Sequence, residues 1–460
     1  MTKGRGGDAG LNAIERRAAY SLSGIFSLRM LGLFLILPVF ALYAEGLPEV
    51  TPLLIGLAIG VYGLTQALLQ IPFGMLSDRI GRKPVLIGGL LIFALGSAVA
   101  ASSETIYGII FGRALQGSGA IAAVIMALAA DLSREQRRLR MMAIIGISIG
   151  VAFAVALIMG PILNSWIGVP GIFWLTAVLA LGGVGIVIFI VPTPKESHFH
   201  RDAEAVPGQF GKVLSEPELL RLDFGILTLH MCLTAIFLAY PLALRDLGMV
   251  GEDHWQVYLP VMLLSMVAMI PFVIIAESRR RMRPVFIGAI VGLGLATMVL
   301  YRFSHTMTGM VVALFVFFTA FNLLEATLPS LIAKAAPGER KGTAMGVYSS
   351  SQFIGAFLGG ALGGWFHTHY GNEGTFLLCA GMVLVWFLVA WGMSDPNYLS
   401  NYLLPVGKLE EDDVGTLAAK LMSIDGVDDA VIIAEDGVAY LKVDLGVVDQ
   451  DALDLYAVQG

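Results

Sequence analysis

Three ionisable side chains, Arg29, Arg113 and Glu325, sit inside long apolar runs of this 460-residue sequence. A charge at the centre of a bilayer-spanning helix costs about 2.5–3.5 kcal/mol on insertion scales, so each residue should line a cavity or find a partner. A carboxyl group in a low-dielectric cavity favours its neutral form and can exchange a proton near neutral pH, which makes Glu325 the first candidate for a proton carrier. The alternative is that Glu325 only pairs with a base or satisfies backbone groups. A guanidinium does not lose its charge, so Arg113 can tune a nearby acid. Arg29 suits either that role or the binding of an anionic substrate group.

Around these charges, Tyr62, Gln66, Gln70, Gln116, His230, Asn322, Tyr348 and Gln352 supply polar edges among abundant Phe, Met and Leu. That mixture suits a small amphiphilic ligand, although polar side chains in lipid also hydrogen-bond helix to helix. An unperturbed imidazole titrates near physiological pH, but for His230 a packed histidine is the plainer reading than a relay. Gly355, Gly359, Gly360, Gly363 and Gly364 recur at helical spacing and read as a face for close helix packing. No glycine loop ends in the Lys-Ser or Lys-Thr of a nucleotide-binding loop, and no nucleophile–base–orienter set or metal-ligand spacing is present. Cys232 and Cys379 lie in apolar runs and read as packing residues. The chain is therefore read as a non-enzyme without metal or cofactor.

These residues need a membrane to be buried in. The chain is 57% hydrophobic and only 14% charged, with mean hydropathy +0.79, more apolar surface than a soluble domain can hide. A spanning helix takes about 20 mostly apolar residues. Candidates fall near 20–44, 53–73, 84–103, 106–130, 140–164 and 171–192, then near 222–243, 256–276, 284–302, 308–334, 342–366 and 373–394. The first run is too long for a signal-peptide core and is kept as a span. The polar stretch at 193–221, with Lys195, Arg201 and Pro207, reads as a linker, so that 1–192 and 222–396 form two six-helix halves.

Lys and Arg collect in cytoplasmic loops. They occur here before span one (Lys3, Arg5, Arg16, Arg17), between spans two and three (Arg79, Arg82, Lys83), and between four and five (Arg134, Arg137, Arg138, Arg140). The pattern continues in the linker, between eight and nine (Arg279, Arg280, Arg281, Arg283) and after ten (Lys334, Arg340, Lys341). The intervening loops hold mainly Glu45, Glu49, Glu104, Glu252, Asp253 and Glu373. Both termini are expected in the cytoplasm. A net charge of −6, with the bases gathered at one membrane face, gives no reason to expect a nucleic-acid partner.

The loop Gly74-Met-Leu-Ser-Asp78-Arg79-Ile-Gly81-Arg82-Lys83-Pro84 has a degraded counterpart in Ala276-Glu-Ser-Arg-Arg-Arg-Met-Arg-Pro284, each between the second and third spans of its half. Parallel repeats of six spans around a midplane site are one transporter architecture. The loop resembles the signature of the major facilitator superfamily, in particular its twelve-span drug:proton antiporters. Further matches are Leu31-Gly32 with Pro38, Arg113-Ala-Leu-Gln116-Gly117, and Gly150 with Gly160-Pro161, where the usual glycine-rich tail is replaced by Ile162-Leu-Asn164. Gly342-Thr-Ala-Met-Gly-Val-Tyr-Ser-Ser-Ser-Gln-Phe353 and Phe321-Asn-Leu-Leu-Glu325 are similar to a member that also carries a small domain after its last span.

The resemblance implies an all-α membrane protein of two six-helix halves, and a tie between Arg113 and proton coupling. It also implies that Asp78 faces the start of span eleven near Gly342, while Arg82 pairs with Asp131. With Gly74, Arg79, Gly81 and Lys83 these residues would form a latch that holds the outward-open state and breaks as the halves rock. The plainer alternative is that the basic loop only anchors topology.

Beyond Pro396 the composition turns acidic and soluble. Leu403 to Val406 reads as a strand, Glu410 to Ser423 as a helix, and Ala430 to Ala434 and Val438 to Val443 as a hairpin around Glu435-Asp436-Gly437. Asp449 can cap a last short helix. The order β-α-β-β-α at 397–460 is that of a ferredoxin-like domain short of its final strand, whose open edge invites pairing with another subunit or protein. The reading is a multi-pass inner-membrane transporter that exports small amphiphilic compounds in exchange for protons by alternating access. A proton-linked solute importer and a ligand-binding membrane receptor are the alternatives.

Overall fold

The computed structural model describes residues 11–194, 206–337, 340–394, 400–407, 411–434, 437–444 and 447–457. Lys195, Arg201 and the Glu435-Asp436 turn lie outside these residues. The membrane body contains α1 (Ala13–Phe34), α2 (Leu37–Ala44), α3 (Pro52–Ile80), α4 (Arg82–Ala101), α5 (Ile106–Ser118), α6 (Ala122–Asp131) and α7 (Glu135–Phe189). It continues with a short α8 (Phe210–Val213), then α9 (Pro217–Asp246), α10 (Trp255–Ser278), α11 (Met282–Phe303), α12 (Met307–Ala335) and α13 (Lys341–Trp391).

Local chemistry sets these boundaries. Asn12 and Glu15 form a reciprocal capping box that starts α1, while Thr51, Thr105 and Thr306 each accept a hydrogen bond from the backbone three residues on and start α3, α5 and α12. Pro38 sits in the first turn of α2 and Gly119 ends α5. Neither break splits a crossing, because Ala13–Ala44 and Ile106–Asp131 each continue as one apolar segment.

Among the described residues, ten helical segments are long and apolar enough to cross a membrane. Two of them cross twice. A straight 55-residue helix would be about 80 Å long, yet Arg134, at the start of α7, bonds Glu15 at 2.8 Å, and Ile190, at its end, accepts from Arg17 at 2.7 Å. Both ends of α7 thus meet the start of α1, and the reversal lies at Gly168, whose φ of 66° is outside the helical region. In α13 the Thr375 hydroxyl donates to Gly363 O at 3.2 Å across twelve residues, about 18 Å of helix rise, and the break is Gly371 with φ 64°. Glycine takes this left-handed conformation without steric cost. The result is six crossings before the linker and six after it.

The loops fall on two faces. One, termed the basic face, carries Arg79, Arg82, Lys83, Arg134, Arg280 and Lys334 together with the start of α1; the other carries 45–51, 102–105 and 247–254. Some helices begin sooner than hydropathy implies. Pro217 opens α9 and Glu135 opens α7, each about five residues before the apolar run, because these first turns sit among loop residues rather than lipid.

After the last crossing come β1 (Ser400–Pro405), α14 (Glu411–Met422), β2 (Val427–Ile433), β3 (Val438–Val443) and α15 (Gln450–Asp454). The sheet is antiparallel in the order β1-β3-β2. Asp449 caps α15 through Ala452 N–H at 3.1 Å. Leu404, Leu421, Leu441 and Leu453 build a core of its own, separate from the membrane body. The domain rests on the basic face through Arg280–Asp444 at 2.9 Å and Lys442 Nζ to Lys334 O at 3.4 Å.

Candidate functional site

The halves meet along α3 and α13, where glycines remove the side chains that would hold two backbones apart. A Cβ on Gly60 would stand 2.8 Å from Phe357 O, and one on Gly364 would stand 2.6 Å from Pro52 O. Gly56 and Gly360 face each other in the same way. Gly355, Gly359 and Gly363 press instead on Leu227, Met231 and Ala235 of α9, inside the second half. One glycine-rich helix thus serves two seams. At the face opposite the basic one, Arg245 pairs with Glu45 across the halves and with Asp246 of its own helix at 2.9 Å. Nearer mid-membrane, Gln70 Nε2 donates to Ser350 Oγ across the halves at 2.7 Å. Two clefts open on the opposite face, one lined by Tyr43, Asn164 and Arg245, the other by Glu45, Thr51 and His367; Glu325 lines neither.

The buried arginines of the first half share one aromatic ring. Arg29 donates to Gln66 Oε1 and to Gly119 O, the latter at 3.2 Å. Arg113 donates to Gln116 Oε1 at 2.8 Å and to the carbonyls of Ala58 and Ile59 at 3.3 Å. Their guanidinium carbons lie 5.8 and 5.1 Å from the centroid of Tyr62, within cation–π range. Both side chains are 1% exposed. Gln116 passes the network on by donating to Ser97 Oγ at 2.7 Å. Among the described residues no carboxylate pairs with either arginine, so carbonyl dipoles and a π face carry two buried charges.

The second half holds the acids. Glu325, midway along α12, accepts from Gln352 Nε2 at 3.3 Å and lies 3.5 Å from His230 Nε2. Its side chain is 38% exposed while that of His230 is 11% exposed, yet the carboxyl oxygen Oε2 is itself buried and has no hydrogen-bond partner among the described residues. Gln352 also contacts His230, and Tyr348 is buried nearby on α13. Asn322, one turn before Glu325, donates to Ser265 Oγ of α10 at 3.2 Å, which ties it to its own half.

At the basic face, Gly81 (φ 96°) turns α3 into α4. Arg82 then points inward, donating to Asp131 Oδ2 at 3.1 Å, to Ser77 Oγ at 2.8 Å and to Asp78. The Asp131 side chain is fully buried. Lys83 donates to Val191 O at 2.7 Å, Arg79 is exposed, and Gly74 stands beside Ala123, where an added Cβ would make ordinary contact at 3.4 Å. Gly342 is buried in the first turn of α13, and the adjacent Thr343 meets the linker by accepting from Val206 N–H at 2.9 Å.

Most of the polar residues read from the sequence therefore gather into three places: an arginine pair with Tyr62, Gln66 and Gln116; an acid cluster of Glu325, His230, Gln352 and Tyr348; and the Arg82 cluster. Sequence reading missed Ser77, Ser97 and Asp223. The serines look like ordinary helix residues. Asp223, 5% exposed in α9, falls at the start of the span expected near 222–243 and was not singled out; the signal that would have found it is an acid inside that span.

The chain matches the Major Facilitator Superfamily over residues 22–282 and 278–403. It is 46% identical over 437 residues to the inner membrane transport protein YajR of Escherichia coli (strain K12), covering 95% of this chain and 96% of that protein. A multidrug resistance protein, MdtL of Shewanella oneidensis, is 28% identical over 176 residues, 36% of this chain and 44% of that one. Among solved structures, a bacterial homolog of the human lysosomal transporter Spinster, inward-facing and occupied, aligns with TM-score 0.67 at 12% identity, over 83% of this chain and 97% of that one.

Proposed function

The chain belongs to the major facilitator superfamily, whose members are membrane transporters and not enzymes, and on that premise we propose that it exports small amphiphilic compounds in exchange for protons. Glu325 carries this reading. It is a carboxyl group midway along α12, flanked by Gln352 and His230 and with one oxygen buried and unpartnered among the described residues, a setting that favours a proton held and exchanged over a fixed charge. Arg29 and Arg113 supply fixed positive charge, and Tyr62, Gln66, Gln70, Gln116, His230, Asn322, Tyr348 and Gln352 offer polar edges to a ligand. The multidrug resistance protein among the relatives favours export over import.

The basic face is cytoplasmic in this reading, which places both termini and the terminal domain inside the cell. The Arg82 ion pairs lie wholly within the first half and fix α3, α4 and α6 to one another. The latch is completed when Asp78 meets the positive end of α13 at Gly342, in the outward-open state. The terminal domain is ferredoxin-like without its last strand, an arrangement with which the sheet order β1-β3-β2 agrees, and its edge is available for self-association.

The test is made in proteoliposomes holding a pH-sensitive dye and acid-loaded, to which a panel of amphiphilic cations is added. Substrate-triggered proton release, lost in Glu325→Gln, supports antiport. Proton movement in the same direction as solute supports import, and binding without flux supports a receptor. Unchanged coupling in Glu325→Gln overturns the mechanism.

A further inference from the structure

We propose that Asp223 is a second protonation site, a way-station that passes protons between Glu325 and the basic face; the proposal rests on the coupling role given to Glu325.

Asp223 lies in α9 six residues from Pro217, about 9 Å from the helix start, and seven residues before His230, so that two turns of helix place both on one side. It is 5% exposed, and neither carboxyl oxygen has a hydrogen-bond partner among the described residues. Buried polar groups are almost always bonded. A carboxylate that lacks both water and a counter-ion is unstable as the anion, so it holds a proton or exchanges partners as the protein moves.

Its surroundings supply the route. Leu227, Met231 and Ala235 of α9 meet Gly355, Gly359 and Gly363 of α13 in step. One turn lower, the same register sets Asp223 level with Ser351 and Tyr348. The Tyr348 hydroxyl is buried, has no hydrogen-bond partner among the described residues, and is within electrostatic reach of both Asp223 and Glu325. Glu325 in turn meets Gln352 and His230. The remaining groups near this stretch are engaged elsewhere or uncharged: Arg221 pairs with Glu218 at 2.7 Å, Arg340 lies 3.9 Å from Glu216, and Trp386 packs against Gly225.

The step is a proton exchange. Protonated Glu325 gives its proton through the Tyr348 hydroxyl to the Asp223 carboxylate, which releases a proton to water at the basic face.

The experiment uses the full chain in lipid nanodiscs and reads the carboxyl C=O stretch by pH-difference infrared spectroscopy, with proton uptake counted after a pH jump. Neither readout needs a transported solute. Two titrating carboxyl bands are expected in the native protein. Asp223→Asn should delete one and halve the proton uptake, Asp223→Glu should shift that band and restore uptake, and Tyr348→Phe should keep both bands while slowing transfer several-fold. Asp223→Asn spectra that superimpose on the native ones overturn the site, and unchanged kinetics in Tyr348→Phe overturn the route. If Asp223→Asn deletes a band but Glu325→Gln deletes none, the coupling role of Glu325 is sunk while Asp223 remains a protonation site.

Discussion

Gly60→Ala adds one methyl group to the seam between the halves, and the structure sets what that must do. The new Cβ would lie 2.8 Å from Phe357 O and 3.1 Å from Phe357 Cα, backbone atoms that cannot swing aside. Relief comes by separating α3 from α13. Overpacking of this kind costs about 1–3 kcal/mol, and the cost falls on the state in which the seam is closed. A bias of that size shifts the two-state balance about 5- to 150-fold toward separation at the face opposite the basic one. Gly355→Ala is the within-half control: its Cβ would press harder still, on Leu227 O and, at 2.8 Å, on Leu227 C and Cα, inside the second half, where opening the seam brings no relief. Spin labels at Glu49→Cys and Glu252→Cys, read by pulsed electron resonance in nanodiscs, report the separation of the halves. A distance distribution moved outward by Gly60→Ala and unmoved by Gly355→Ala is expected. Identical distributions for Gly60→Ala and the native chain would refute the claim that this contact closes the seam.

Two further outcomes follow from the ion pairs. Glu45 and Arg245 bridge the halves beside that seam but are 36% and 44% exposed, so Glu45→Gln should change the same distances by less than about fivefold in population, consistent with 0.2–1 kcal/mol for exposed pairs. A larger shift at physiological salt would show the pair to be a gate. Arg82→Ala removes the guanidinium that bonds the fully buried Asp131 and should cost about 3–5 kcal/mol, seen as a lower unfolding temperature in detergent; Arg82→Lys should recover only part, since one ammonium cannot take the separate geometries of Asp131, Ser77 and Asp78. Asp78→Asn, by contrast, should express and fold yet lose most transport in sealed vesicles, and normal turnover there would remove the latch.

The crossings were legible because lipid imposes a single strong rule: about 20 apolar residues with every backbone group bonded internally. The reversals at Gly168 and Gly371 fall in the short gaps expected between spans, 164–171 and 366–373, although the helical ladder continues so close to each turn that no separate loop forms. The basic loops were legible by composition. What the sequence could not convey was partnership. Arg29 and Arg113 stood out as costly charges, yet their acceptors are mostly backbone carbonyls and glutamines, groups that carry no signature in a single chain. The glycines of α13 read as one packing face, whereas the structure divides them between two neighbouring faces, Gly355, Gly359 and Gly363 on α9 and Gly360 and Gly364 on α3. Asp223 was passed over because it stands at the second position of the expected 222–243 span, where an acid reads as a helix end, whereas α9 begins at Pro217 and buries it more than a turn inside the helix.

The distribution of buried charge makes one physical demand on any transport cycle of this chain. In the first half the guanidinium groups of Arg29 and Arg113 are permanent charges, held by carbonyls and by the ring of Tyr62, and no proton concentration within reach of a cell alters them. In the second half Glu325 and Asp223 are acids, and acids change charge. The field across the space between the halves therefore has one fixed wall and one wall that titrates. In the proposed cycle, loss of a proton from Glu325 would leave a carboxylate in the half opposite the arginines, and attraction between the two is stronger in a low-dielectric interior than at the surface. In the proposed exchange, proton release would then favour the approach of the halves. Acids in the half opposite these arginines, rather than beside them as neutralised pairs, are what that proposal needs: a salt bridge inside one half would spend the charge on stability and leave no force to act between them.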